Sequence, residues 1–226
     1  MAVTESVALQ VDQTRLLAPD GTETALLRGA TEVAWSPDGR RLAYAISFPA
    51  DFVHVVDADG ANDRVVATGV EPSWSPDGTQ LALWDDGWIS VLDLATGAEH
   101  RLVRARDPRW SPRGDWIAYS TRGGLGVVRP DGSGAHRLTR LSAEYTVYAW
   151  SPDGSRLAAL FDFRSGRTRL AVVPLLGRTR FAALADELHG VPVWAPDGTT
   201  VAADDGNDVR LVNARTLRAR VLAPPC

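Results

Sequence analysis

The sequence predicts an all-β chain, a six-bladed β-propeller of four-stranded antiparallel blades. A stretch of the type Trp-Ser-Pro-Asp-Gly occurs five times, with its Trp at positions 35, 74, 110, 150 and 194. The intervals are 39, 36, 40 and 44 residues, and a period near forty with strand-like units is typical of one propeller blade per repeat. Alternating segments such as FVHVVD at 52–57 supply the strand-like units.

Each repeat begins with a predicted hairpin turn. In Ser36–Gly39 the Pro fixes φ near −65°, Asp-Gly tolerates positive φ, and the Ser hydroxyl can bond to the turn backbone. The third repeat has Arg113 in place of Asp, and the fifth has Ala195 in place of Ser, while both keep Pro and Gly. We interpret the five Trp residues and the five turns as packing and turn elements without chemistry.

After the turn, each repeat continues with alternating segments that predict further strands. The first repeat divides into strands at Glu32–Trp35, Arg41–Ile46, Phe52–Asp57 and Asp63–Ala67. The third and fourth strands of the later repeats are predicted at Trp88–Leu94 and His100–Val103, Gly126–Arg129 and His136–Thr139, Arg169–Pro174 and Arg180–Leu184, and Val209–Asn213 and Arg218–Leu222.

The segment before the first repeat predicts a blade without its first strand, made of Val7–Val11, Arg15–Ala18 and Glu23–Arg28. We therefore expect a single domain over 1–226, with a partial N-terminal blade at 1–30 and five blades at 31–226. Met1–Thr4 and Ala223–Cys226 are the candidates for the missing strand. The alternative is five blades with extra N-terminal strands.

Composition excludes several classes of site. The net charge of −4 argues against a dedicated nucleic-acid binder. All 24 basic residues are Arg, so no lysine is present to form a Schiff base or a P-loop. The only cysteine is Cys226, which leaves no intrachain disulfide and no cysteine-based zinc site. The N-terminus has no leader pattern and no run of 18 apolar residues occurs, so we expect a cytoplasmic protein without a membrane segment.

Each repeat contains WSPDG or a close variant of it, then a segment similar to LAY, and the first repeat continues with a strand that ends in D-x-D-G. Over residues 32–222 this pattern resembles the TolB-type WD40-like propeller repeat of bacteria. The resemblance implies a six- or seven-bladed propeller that mostly binds proteins or gates access to another domain. TolB carries a leader and an additional N-terminal domain, and neither is expected here. No G-x-S-x-G follows, so the peptidase that accompanies some of these propellers is not expected either.

Loop placement predicts where a partner binds. The first-to-second and third-to-fourth strand turns share one end of each blade, which we call the turn end. The other connections share the opposite end, the loop end. Its predicted loops are irregular and carry aromatic and Arg residues, which is typical of recognition loops, although drift without function is the alternative. These loops are 47–51, 104–108, 142–148, 162–167 and 186–192.

We interpret the protein as a non-catalytic, protein-binding scaffold, a subunit or adaptor of an assembly, that needs no cofactor. The alternative is a hydrolase or lyase with a metal in the axial channel. The four His residues, at 54, 100, 136 and 189, form no recognisable metal or triad pattern. His54 is expected to pack within its strand. The Asp-rich stretches at 57–63 and 204–208 are interpreted as turns rather than calcium loops.

The candidate binding residues are found by counting back three positions from each repeat Trp. This gives Glu32, Glu71 and Asp107 in three successive repeats, then Val147 and Val191. Like charges at one point of the structure favour a positive group, either an Arg or Lys of a partner or a hard cation bound by oxygen ligands. The alternative is internal neutralisation of Asp107 by Arg106 and Arg109. Together with the three acids, the predicted binding site comprises Arg109, Tyr148 and His189.

Overall fold

The computed structural model describes residues 13–17, 21–47, 50–141, 143, 145–163, 167–182 and 188–222. Within these ranges the chain is all-β, with 22 strands and no helix. No described segment forms a helix that could cross a membrane.

The strands form one two-stranded and five four-stranded antiparallel sheets, each with its strands adjacent in chain order. The N-terminal sheet contains β1 (Gln13–Leu17) and β2 (Glu23–Arg28). Sheet 1 contains β3 (Thr31–Trp35), β4 (Arg41–Ile46), β5 (Phe52–Asp57) and β6 (Arg64–Thr68). Sheet 2 contains β7 (Val70–Trp74), β8 (Gln80–Asp85), β9 (Trp88–Asp93) and β10 (Glu99–Arg104).

Sheet 3 contains β11 (Arg106–Trp110), β12 (Ile117–Thr121), β13 (Gly124–Val128) and β14 (His136–Arg137). Sheet 4 contains β15 (Tyr145–Trp150), β16 (Arg156–Phe163), β17 (Arg167–Pro174) and β18 (Arg180–Phe181). Sheet 5 contains β19 (His189–Trp194), β20 (Thr200–Asp204), β21 (Val209–Asn213) and β22 (Ala219–Val221).

Six sheets agree with the six predicted blades. Val7–Val11 and both candidates for the missing strand lie outside the described residues. The predicted loop at 104–108 is wrong, because β10 and β11 are joined by Ala105 alone. The predicted loops at 142–148, 162–167 and 186–192 are shorter than expected, since β15, β16 and β19 extend into them.

The chain divides into two compact units, and the division falls inside sheet 3. Unit 1 comprises Met1–Trp110 with Pro130–Gly132, and unit 2 comprises Ser111–Arg129 with Ser133–Cys226. In unit 1, Leu16 and Leu42 belong to an apolar cluster of the N-terminal sheet and sheet 1, and Val53 and Leu83 to a cluster of sheets 1 and 2. Unit 2 has two clusters of the same kind, one of which contains Phe161.

The repeated turn is closed as its residue types predict. The N–H of Gly39 donates to the Ser36 carbonyl (2.9 Å), and the Ser36 hydroxyl donates to Asp38 Oδ1 (2.6 Å). In the third repeat, Asp115 takes the place of the missing acceptor, since the Ser111 hydroxyl donates to it at 2.8 Å. The turn glycine of every repeat has φ between 64° and 76°, the left-handed conformation that Gly adopts most readily; these are Gly39, Gly78, Gly114, Gly154 and Gly198.

A repeated contact clamps successive sheets together. In unit 1, Nε1 of Trp74 donates to the Ala34 carbonyl (3.0 Å), while the Arg41 guanidinium lies 4.8 Å from the Trp74 ring centroid and donates to the Gly78 carbonyl (2.8 Å). In unit 2, Trp194 and Arg156 repeat this arrangement against the Ala149 and Gly198 carbonyls. Trp74, Trp110 and Trp194 are buried, as predicted for packing elements, whereas Trp35 and Trp150 are partly buried.

Candidate binding site at the loop end of the sheets

The three predicted acids occupy the same unusual backbone position. Glu32, Glu71 and Asp107 have φ of 51°, 58° and 54°. In β3, Thr31 pairs with Ala45 but Ala34 pairs with Ala43, so one extra residue forms a bulge at Glu32, and β7 has the equivalent register shift. A side-chain-bearing residue at positive φ costs about 1–3 kcal/mol and persists only where its surroundings impose it.

Hydrogen bonds between repeats account for the acids at this position. The backbone N–H of Glu71 donates to Oε2 of Glu32 at 2.6 Å, and that of Asp107 donates to Oε2 of Glu71 at 2.6 Å. Each of the first two carboxylates thus accepts a bond from the acidic residue of the following sheet. We call Glu32, Glu71 and Asp107 the acidic run; it lies within unit 1.

The middle carboxylate of the run carries the strongest electrostatic perturbation. Burial raises the pKa of Glu71 from its ordinary 4.5 to about 7, and the negative charges of Asp107 and Glu32 act in the same direction. The backbone N–H of Asp107 opposes the shift without cancelling it. Near neutral pH Glu71 is therefore poised between its two forms, and a positive group placed beside it would favour the charged one.

Sheets 4 and 5 do not continue the acidic run. Strand β15 pairs with β16 without interruption from Tyr145 to Trp150, so Val147 lies in a regular ladder. In β19 the register shifts between His189 and Val193, and the left-handed residue is Gly190 at φ 68° rather than Val191.

The structure separates the other predicted site residues by environment. Arg109 is exposed on β11, two residues after Asp107, and His189 is exposed at the start of β19. Tyr148 is only 4% exposed and belongs to the apolar cluster with Phe161, so its side chain is not accessible to a partner. Arg106 makes no ion pair with any described residue. The alternative that Arg106 and Arg109 together neutralise Asp107 stays a prediction.

One polar cluster was missed by the sequence reasoning. The Tyr44 hydroxyl donates to Asp63 Oδ2 (2.7 Å), His54 Nδ1 lies 3.1 Å from Asp63 Oδ1, and the Tyr44 and His54 rings stack at 4.9 Å. Burial, followed by Asp63, raises the pKa of Tyr44. The pairing of β4 with β5 could have indicated this cluster, because it places Tyr44 directly opposite His54. His54 packs within its sheet, as expected.

Among the described residues no group of three or more His, Cys, Asp or Glu side chains is placed to hold a metal ion.

Among known proteins, similarity is found to solved structures but not to a family model or a curated sequence. No protein-family model matches the chain, and no curated protein matches it. Among solved structures, it is similar to an oligogalacturonate lyase in complex with manganese (TM-score 0.72, 15% identity, 93% of this chain and 70% of that one).

Two TolB structures are also similar. That from Acinetobacter baumannii has a TM-score of 0.64 at 20% identity, over 92% of this chain, which spans only 58% of that protein. A putative TolB from Agrobacterium tumefaciens has a TM-score of 0.62 at 22% identity, over 94% of this chain and 90% of that one. The chain therefore has a TolB-like β-propeller fold.

Proposed function

We propose that this chain is a non-catalytic, protein-binding β-propeller, a subunit or adaptor of a larger assembly, and that the acidic run forms part of its binding surface. One observation carries the proposal. The first strands of three successive sheets hold an acid at positive φ, and burial together with the two neighbouring carboxylates raises the pKa of Glu71. Strain and like-charge repulsion at one place are costs that a binding site can recover when its partner arrives.

The chemistry of the run favours a cationic side chain of a partner protein. An Arg or Lys placed against Glu71 would stabilise its charged form and relieve the repulsion from Glu32 and Asp107. The exposed Arg109 on the same strand as Asp107 would restrict which cations approach. His189, which is exposed on β19 of unit 2, stays a separate candidate that the sequence predicts.

The test separates the charge of the run from its hydrogen bonds. Glu32→Gln with Glu71→Gln keeps oxygen acceptors for both backbone N–H groups but removes two negative charges. We expect this variant to fold as the wild type does and to lose at least about ten-fold in affinity for proteins captured by the wild type from the source organism.

The matched control is Asp59→Asn with Asp197→Asn, which removes two exposed charges at the turn end. It should retain every protein that the wild type captures. Unchanged capture by the Glu variant, or equal loss in both variants, would contradict the proposed site. Stoichiometric divalent metal in the purified protein would favour the alternative of a metal-dependent enzyme.

A further inference from the structure

A cationic and aromatic surface lies at the loop end of sheet 2, separate from the acidic run. The guanidinium carbons of Arg101 and Arg104 lie 5.8 and 5.0 Å from the ring centroid of Trp88. Both Arg residues are exposed, and Trp88 is partly exposed. We call these three residues the Trp88 patch.

A bulge in β10 places both guanidiniums on one ring. Arg104 pairs with Trp88 and Arg101 with Ser90, but Val103 pairs with Ile89, so Leu102 is an extra residue in the strand. Without it, residues three apart would point to opposite faces of the sheet. The bulge brings Arg101 and Arg104 to the same face as Trp88.

Neither guanidinium is neutralised within the part of the chain that the structure describes. No described carboxylate lies within ion-pair distance of Arg101 or Arg104. The nearby Glu99 accepts the Ser90 hydroxyl at 2.5 Å instead. A guanidinium that lies over an indole ring can direct its N–H edge towards solvent, and that edge is the part that binds a carboxylate through two hydrogen bonds.

We propose that the Trp88 patch binds an acidic segment of a partner protein, with two of its carboxylates on the edges of Arg101 and Arg104. Alternate residues of an extended peptide point the same way about 7 Å apart, a spacing that suits two neighbouring guanidiniums. The patch is bordered by Asp85 and Asp86, in the hairpin that leads into Trp88. These carboxylates disfavour a continuous polyanion such as a nucleic acid or a polyuronate, whereas a peptide can carry its acids only where the Arg residues lie.

The experiment uses fluorescence anisotropy with a labelled peptide of roughly ten residues that alternates Glu and Ser. Arg101→Gln with Arg104→Gln should weaken binding about ten-fold or more, because both charge-assisted contacts are lost. Trp88→Leu keeps both charges and removes the ring that orients them, and should weaken binding about three-fold or more. Binding should fall as salt rises from about 50 to about 300 mM.

The matched control is Arg40→Gln with Arg64→Gln, two exposed Arg residues of unit 1 that lie over no aromatic ring among the described residues. It makes the same change in net charge and should bind within about two-fold of the wild type. Equal weakening in both pairs would reduce the effect to general charge and overturn the proposal. So would no binding at low salt, equal binding of a Gln-Ser peptide, or tighter binding of a labelled oligothymidine or polygalacturonate. Unchanged melting temperatures establish that the variants fold.

Discussion

The two ends of the sheets use carboxylates in opposite ways. At the turn end, hydrogen bonds from the turn itself lower the pKa of Asp38, Asp77, Asp153 and Asp197. At the loop end, burial and two neighbouring acids raise the pKa of Glu71 to about 7. The turn supplies its donors within five residues of sequence, whereas the acidic run brings together charges from three repeats. The surroundings therefore favour the charged form of the carboxylates at the turn end and disfavour the charged form of Glu71 at the loop end.

The largest loss of stability is expected when the Trp side chain beside the turn end is removed. Trp74 is 7% exposed, donates to Ala34 and carries Arg41 on its ring. Trp74→Ala should therefore lower the free energy of unfolding by about 3–5 kcal/mol, measured in urea. Trp88→Ala at the loop end is the control, since its ring is partly exposed and should cost far less. A loss under about 1 kcal/mol for Trp74→Ala would show that the clamp does not hold the sheets together.

A smaller effect, opposite in sign at the two ends, is expected from neutral replacements. Asp153 accepts the Ser151 and Ser155 hydroxyls, so Asp153→Asn should cost about 1 kcal/mol at neutral pH. Glu71→Gln keeps the acceptor for the Asp107 N–H but removes a buried charge that its neighbours repel, and should raise stability above pH 7 by about 1–3 kcal/mol, since solvent screens part of the penalty. Chemical denaturation measures both. Destabilisation by Glu71→Gln would mean that the charge of the run stabilises the fold, and the contrast would fail.

The two carboxylates should also differ in the pH dependence of the stability that they contribute. The folded pKa of Glu71 is about 7 against an ordinary 4.5, so its contribution to stability is full below pH 4.5 and is lost as the pH rises to about 7. The folded pKa of Asp153 is about 2 against 3.8, so its contribution is full above pH 3.8 and is lost as the pH falls to about 2.

Melting temperatures across this pH range check the assignment. The advantage of Glu71→Gln over the wild type should grow between pH 4.5 and 7 and then level off. The disadvantage of Asp153→Asn should shrink below pH 3.8. A constant difference for Glu71→Gln across the whole range would place its titration elsewhere.

Features that depend on residues close in sequence could be predicted. Pro37 and Gly39 fix their turn through their own backbone preferences, and the alternation in residues 52–57 correctly predicted strand β5. Counting back from Trp35 and Trp74 also located the acidic run. These features depend on residues that are close in sequence.

Features set by packing between repeats were not predictable. The bonds from Glu71 to Glu32 and from Asp107 to Glu71 span 39 and 36 residues. Glu32 and Glu71 have positive φ at bulges of β3 and β7, which sequence spacing does not reveal. Arg104, Ala105 and Arg106 show no apolar pattern, so two strands joined by one residue were mistaken for a loop.

The burial of Tyr148 had a signal that was overlooked. It lies two residues before its repeat Trp, and the other repeats carry Val33, Pro72, Pro108 and Pro192 there. All five residues are apolar or aromatic, and the three Pro side chains are buried. Alternation along a strand would then have directed Tyr148 inward and its neighbours outward.

The clamp between sheets has a consequence for how such a chain can grow. Arg41 reaches the Trp of the following repeat, and Arg156 does the same, so the first and fourth repeats each carry both an Arg that reaches forward and a Trp that can receive one. If either repeat were duplicated in tandem, the Arg of the first copy would face the Trp of the second copy. The second repeat has Gln80 at the Arg position, and a copy of it would lack that contact. A copy of the first or fourth repeat would therefore retain the Arg that forms this contact with the next sheet.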